Sequence, residues 1–243
     1  MRDYAVEAKN RIAFLQGVLK TSGTSGFVFG NSGGKDCALV GILCKKACDN
    51  TLSVLMPCQS KRNHNEDKVD AFRLAEQFDI KSITIDLGDV KTGIEKLVGE
   101  HVALTTPAQV NIAPRLRMTT LYTLAASRNS LVVGTGNRSE AYMGYFTKYG
   151  DGAYDVNPIA DLTVTEVYEF LRFFNAPESI IQKAPSAGLF DGQTDEHEMG
   201  ITYCSLDTYI LTGQGDAEMI EKVEKEHAKT AHKRRMPLCY NQE

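Results

Sequence analysis

The chain has 243 residues, 42% of them hydrophobic, enough to bury the core of one large α/β domain over residues 1–243, and nothing in the length calls for a second. A formal net charge of −4 argues against an extended electrostatic footprint for nucleic acid. No stretch approaches the roughly 18 apolar residues of a membrane span, Met1–Glu7 lacks a signal core, and the six cysteines form no C-x-x-C pair. The expectation is a reduced, cytoplasmic protein that engages neither membrane nor nucleic acid.

Tyr4, Ala5, Ala8, Ile12, Leu15, Val18 and Leu19 recur at mostly helical spacing and predict a helix over residues 3–19, broken by Thr21-Ser22-Gly23-Thr24-Ser25-Gly26. A β-like run, Phe27–Phe29, then leads into Gly30-Asn31-Ser32-Gly33-Gly34-Lys35-Asp36-Cys37, followed by the apolar helical stretch Ala38–Leu43. Two adjacent glycines let the backbone turn tightly and bring its N–H groups to anionic oxygens, at the N-terminus of a helix. Ser32 offers a hydroxyl, Lys35 a cation or a solvated helix residue, and Asp36, the sole anion of the run, suits a site that holds magnesium. The pattern is neither G-x-x-x-x-G-K-[S/T] nor G-x-G-x-x-G.

Further β-like runs at Leu52–Met56, Ser82–Ile85 and Leu131–Val133 alternate with amphipathic segments such as Val69–Phe78. That alternation predicts a parallel sheet with helices on both faces, and in such sheets ligands sit outside the carboxyl ends of the strands, where Gly134-Thr135-Gly136 also falls. Residues 184–204, interrupted by Pro185, Gly188, Gly192 and Gly200, predict a long binding loop or lid. Residues 216–235 return to helical spacing and end in the basic run His232-Lys233-Arg234-Arg235.

The glycine run resembles S-G-G-x-D-S, the mark of the ATP pyrophosphatases, which split ATP between its α and β phosphates. Arg115-Leu116-Arg117-Met118, Gly134-Thr135-Gly136-Asn137-Arg138-Ser139-Glu140 and Gly144-Tyr145-Phe146-Thr147-Lys148-Tyr149-Gly150-Asp151 narrow the likeness. With Asp155, Pro158-Ile159, Pro185-Ser186-Ala187 and His232-Lys233-Arg234, they are similar, in order and over nearly the whole chain, to ammonia-dependent NAD synthetase. The resemblance implies a doubly wound α/β sheet of the adenine nucleotide α-hydrolase type and the last step of NAD biosynthesis. In that step the nicotinate carboxylate of deamido-NAD attacks the α-phosphate of ATP, releasing pyrophosphate, and ammonia then displaces AMP.

Carried over position by position, the resemblance implies that Asp36 and Glu140 hold Mg2+ and, with Lys148, form the catalytic set. It implies that Gly30, Asn31, Ser32, Gly33, Gly34, Lys35, Asp36, Cys37, Thr135, Val164 and Ser186 bind ATP, and that Arg115, Lys148, Asp155, His232 and Lys233 contact deamido-NAD. It also implies a homodimer with the dinucleotide near the subunit interface. The first strand and glycine loop begin by residue 27, so no glutaminase domain is expected, and ammonia would come from solution or a separate partner. Two positions depart from the family pattern: Cys37 stands where serine is usual, and Val164 where a lysine usually binds the ATP phosphates. Lys35 is the candidate to supply the missing charge. A tRNA-thiolating pyrophosphatase would bring RNA-binding surface and paired cysteines, neither of which this chain offers, and the retained Asp36, Glu140 and Lys148 argue against a catalytically decayed nucleotide sensor.

Overall fold

In a computed structural model, which describes residues 2–58, 66–183 and 195–240, four parallel strands stand in the order β3-β2-β1-β4. They are β1 (Gly26–Gly30), β2 (Thr51–Leu55), β3 (Lys81–Thr84) and β4 (Ser130–Val133). Register pairs Phe27 with Thr51 on one side of β1 and with Leu131 on the other. The chain winds away from β1 first through β2 and β3, then returns to its other edge as β4, so the strand order reverses between β1 and β4. That reversal opens a crevice at their carboxyl ends, the place where doubly wound sheets take their ligands.

The helices are α1 (Tyr4–Ser22), α2 (Lys35–Ala47), α3 (Glu66–Gln77), α4 (Gly88–Gly99), α5 (Thr106–Val110) and α6 (Ile112–Ser127). After β4 come α7 (Arg138–Met143), α8 (Val164–Phe173), α9 (Glu178–Ile181), α10 (Asp195–Met199), α11 (Tyr203–Thr212) and α12 (Ala217–Lys229), then a 3-10 turn at Ala231–Lys233. Alternation along β1 sends Phe27 and Phe29 to one face, where they pack with Leu15, Leu39, Leu43, Phe170 and Leu171 from α1, α2 and α8. Val28 points the other way, into a cluster with Val54, Val132, Ala113 and Ala125 that α6 covers. Each such large side chain removed from water stabilises the fold by about 1.5–3 kcal/mol. A third cluster, Met143, Val164, Met199, Tyr203, Leu206 and Val223, ties α7 to α8, α11 and α12 beside the crevice.

The strands fall where the sequence placed them, to within a residue or two. Helix α1 runs to Ser22, past the expected break, because the Thr21 hydroxyl donates back to the Gly17 carbonyl at 3.0 Å and the turn is completed only at Gly23, φ +68°. The loop expected over 184–204 is shorter than that at its far end. Residues 195–199 form a helix, and Thr202 caps α11 by accepting from the Ser205 N–H. Residues 184–194, with Ser186, lie outside the described residues. Helix α1 is anchored through buried Arg11, which donates to the Asp161 carboxylate at 2.6 Å and to the Pro158 carbonyl.

Candidate active site

Where β1 ends, the chain must reverse into α2. Asn31 arranges this: its side-chain oxygen accepts from the Gly33 N–H at 2.9 Å, its amide nitrogen donates to Ser53 Oγ on β2 at 3.0 Å, and Gly33 takes φ +75°. Gly34 precedes α2 without any side chain capping the helix, so the N-terminal N–H groups of this 13-residue helix are turned to the crevice.

Asp36, in the first turn of α2, meets Glu140 of α7 across the crevice, and one amide holds both. Asn137, fully buried, caps α7: its Oδ1 accepts from the Glu140 N–H at 3.0 Å, and Glu140 Oε2 accepts from the Asn137 N–H at 3.2 Å. Because the Glu140 N–H fixes which end of the amide is oxygen, Nδ2 is left to donate to Asp36 Oδ1, 3.0 Å away. Behind this, Ser139 donates to buried Asp207, whose carboxylate also accepts from the N–H and hydroxyl of Thr165, each at 2.7 Å.

Lys35 does not point into solvent. It is 6% exposed, and its ammonium lies 2.7 Å from Asp36 Oδ2 and 3.9 Å from Glu140 Oε1, flanked by the rings of Tyr168 and Tyr203. Burial alone would lower its pKa, but the charges of Asp36 and Glu140 outweigh that and raise it, so it is fully cationic. The donor set fits a hard divalent ion that arrives with a nucleotide. Two carboxylates face one point, and among the described residues no group of three or more metal-ligating side chains forms a cage by itself, so phosphate oxygens and water would complete the coordination.

The cavity measures about 1000 Å³. Gly30, Asn31, Ser32, Gly34, Lys35, Asp36 and Cys37 line one wall with Thr135 and Glu140, while Gly33 stands behind it to form the turn. The Cys37 thiol is buried, which pushes its pKa up, and lies 3.3 Å from Ser32 Oγ. His232 and Lys233 line a wall of the same cavity formed by the C-terminal segment, where Lys233 donates to the carbonyls of Gly144 and Phe146 at 2.7 and 2.8 Å. Lys148 stands just off that wall and donates to the His232 carbonyl at 2.9 Å, tying the Thr147–Asp151 turn to the C-terminal segment.

Three expected residues lie elsewhere. Val164 is 2% exposed, starts α8 and packs with Met143, Met199 and Leu206, so its side chain serves the core and does not line the cavity. Arg115 is exposed on α6 and does not line the cavity either; Arg117 does, and its Nε donates to the Met56 carbonyl at 3.1 Å. Asp155 turns its carboxylate to the sheet, accepting from the Val132 N–H at 2.8 Å and the Tyr122 hydroxyl at 3.2 Å. Residues not singled out from sequence also line the wall, notably Arg117 and Lys183, whose ammonium pairs with buried Asp70 at 2.9 Å. Asn137 was legible in principle, since Asn137-x-x-Glu140 has the spacing of a capping box.

The NAD synthase family profile matches residues 7–237. The chain belongs to that family. Among curated members, the NH(3)-dependent NAD(+) synthetase of Carboxydothermus hydrogenoformans is 46% identical over 230 residues, covering 93% of each chain. Among solved structures, the family likeness extends to the NMN synthetase of Francisella tularensis, 34% identical with a TM-score of 0.93 over 100% of both chains. The NH3-dependent NAD synthetase of Campylobacter jejuni, solved in complex with the nitrate ion, is 32% identical with a TM-score of 0.81 and covers 99% of this chain and 100% of its own. The doubly wound sheet and its crevice are thus those of the adenine nucleotide α-hydrolase type.

Proposed function

We propose that the cavity binds ATP at the N-terminus of α2, with the pyridine dinucleotide toward the C-terminal wall, and runs both half-reactions of an ammonia-dependent NAD synthetase. The observation that carries this reading is the pairing of Asp36 and Glu140 on the Asn137 amide, directly beside the glycine loop. In the first half-reaction the nicotinate carboxylate oxygen forms a bond to the α-phosphorus while the bond to the bridging oxygen breaks, leaving pyrophosphate. Charge builds on the departing phosphates, and on this reading the N–H groups at the start of α2, with the Ser32 and Thr135 hydroxyls that line the cavity, stabilise it. A magnesium ion held by Asp36 and Glu140 would neutralise part of the same charge. In the second half-reaction ammonia adds to the adenylated carbonyl carbon, loses a proton, and AMP leaves. Lys148 and Lys233 supply positive charge toward an anionic dinucleotide, with His232 beside them.

The reading extends to a homodimer in the cytoplasm. None of α4 is buried, and Val90, Leu97, Val98 and Val102 stand exposed along and just beyond it, an apolar face suited to a second copy. In such a dimer exposed Arg115 is available to a dinucleotide lying at the interface.

A second reading keeps the chemistry and changes the acceptor. The TM-score of 0.93 to an NMN synthetase favours amidation of the mononucleotide, nicotinate mononucleotide, as an alternative. Purified protein with ATP, magnesium and ammonium, offered deamido-NAD or nicotinate mononucleotide in parallel, tests both. Formation of NAD with equal AMP and pyrophosphate supports the first reading. Preferential amidation of the mononucleotide supports the second, and no AMP with either acceptor refutes both.

A further inference from the structure

The two carboxylates of the crevice share a peculiarity. Each spends one oxygen on Asn137: Asp36 Oδ1 takes its side-chain amide, and Glu140 Oε2 its backbone N–H. The other two oxygens, Asp36 Oδ2 and Glu140 Oε1, converge on the Lys35 ammonium, at 2.7 and 3.9 Å. Two carboxylates fastened to one buried residue, Asn137, repel each other and need a cation between them. Here the chain supplies one from the residue immediately before Asp36. The rings of Tyr168 and Tyr203, 6.0 and 5.8 Å from the ammonium, face it from α8 and α11.

We infer that Lys35 is a place-holder for the divalent cation: it occupies the oxygens of Asp36 and Glu140 until nucleotide arrives, then moves to the phosphates and yields the carboxylates to the metal. The inference rests on the assignment of Asp36 and Glu140 as metal ligands. Lys35 is the first residue of α2, so phosphates bound at that helix N-terminus lie within the sweep of its four-carbon stem. Position 164 offers no substitute, because the buried valine there keeps to the apolar cluster and does not line the cavity. A cation already between the carboxylates makes metal without nucleotide a poor competitor, because it must displace a buried charge that then has no anion to go to. With triphosphate present the ammonium exchanges one set of anionic oxygens for another. Metal and ATP are thereby made to bind together, and the empty site stays closed to stray divalent ions.

The test uses Mn2+ as probe, titrated by electron paramagnetic resonance against the full chain with and without α,β-methylene-ATP. Lys35→Met and the more polar Lys35→Gln are compared with the unsubstituted protein, each checked for a cooperative thermal transition. Without nucleotide, either variant is expected to bind Mn2+ at least about tenfold more tightly than the unsubstituted protein. Binding of the analogue itself, followed by calorimetry, is expected to weaken in the same variants. Unchanged or weaker Mn2+ binding in a folded Lys35 variant overturns the inference. So does an unsubstituted protein that binds Mn2+ equally well with and without the analogue, a measurement that requires no variant to fold. Asp36→Asn separates the inference from the assignment beneath it. If Mn2+ binding with the analogue survives that change, the ligand assignment fails; if it is lost while Lys35 variants gain nothing, the place-holder alone fails.

Discussion

Asn137 concentrates two jobs in one side chain, and the two can be pulled apart by substitution. Asn137→Ala removes the cap of α7, about 1 kcal/mol, and the hydrogen bond to a charged Asp36, about 1.5–3 kcal/mol, a combined loss of roughly 3 kcal/mol. For a chain of this size each kcal/mol lowers the melting temperature by roughly 2–4 °C, so the variant should melt roughly 6–12 °C lower. Asn137→Ser keeps an oxygen for the Glu140 N–H but cannot span the 3.0 Å contact that Nδ2 makes to Asp36, and should lose only the second part. Asn137→Asp keeps the cap and turns a carboxylate on Asp36, so its stability should fall least at low pH. In all three the magnesium concentration for half-maximal AMP formation should rise about 10–100-fold, the usual effect of losing a partner that orients a metal ligand. Calorimetric melting and magnesium titration of AMP release would report both arms. Equal stability of the Ala and Ser variants, or an unchanged magnesium requirement in every one, would refute the division of labour.

Other consequences are open to direct measurement. Gly144 has φ +68°, and an added Cβ would run into Cβ and Oγ1 of Thr230; Gly144→Ala should cost about 2–4 kcal/mol from left-handed backbone plus overpacking, and Thr230→Ala in the same chain should return the overpacking part in urea unfolding. Burial would raise the Asp161 pKa, but hydrogen bonds and charge from Arg11 and Arg2 hold it below the ordinary value. The stability it contributes is therefore present above the unfolded pKa of roughly 3.9 and lost as pH falls through the folded one. The gap between the unsubstituted protein and Asp161→Asn should narrow from pH 7 to pH 3. Burial raises the thiol pKa of Cys37 and Cys44, so iodoacetamide at pH 8 should modify exposed Cys204 and Cys239 first, as read by peptide mass spectrometry, and reach Cys37 only after unfolding.

The parts of this molecule that depend on near neighbours in sequence were legible before any coordinates. Strands β1 to β4 announce themselves by short apolar runs, closed directly by glycine at β1 and β4, and Asp36 and Glu140 by their motifs. What eluded the sequence depends on helix phase or on distant approach. Arg115 and Arg117 sit two residues apart on α6, about 200° around the axis, so only one can face the cavity, and nothing local says which. Lys35 reads as a candidate phosphate cation or a solvated helix residue, and its pairing with Glu140 is hidden until α7, more than a hundred residues later, brings that carboxylate to it. Val164 reads as a phosphate position until the Ser139–Asp207–Thr165 hydrogen bonds fix the start of α8 with that side chain inward. Asp155 carries a charge suited to a ligand, yet its carboxylate accepts from the Val132 N–H of β4 and from the Tyr122 hydroxyl.

The position of β1 between β2 and β4 has a bearing on how the protein is made. Phe29, next to the glycine loop, pairs with Ser53 on one side and with Val133 on the other. A growing polypeptide therefore acquires the loop early and can lay β2 against it while still on the ribosome. The second neighbour arrives about a hundred residues later, and closing so long a loop is an entropic cost that comes before its contacts repay it. Asn137 and Glu140 follow β4 directly, so the carboxylate pair cannot exist until that late closure. Nucleotide accordingly has nothing complete to recognise in a half-made chain. It would act as a lock on the finished fold, slowing its opening, and not as a template that hastens its assembly.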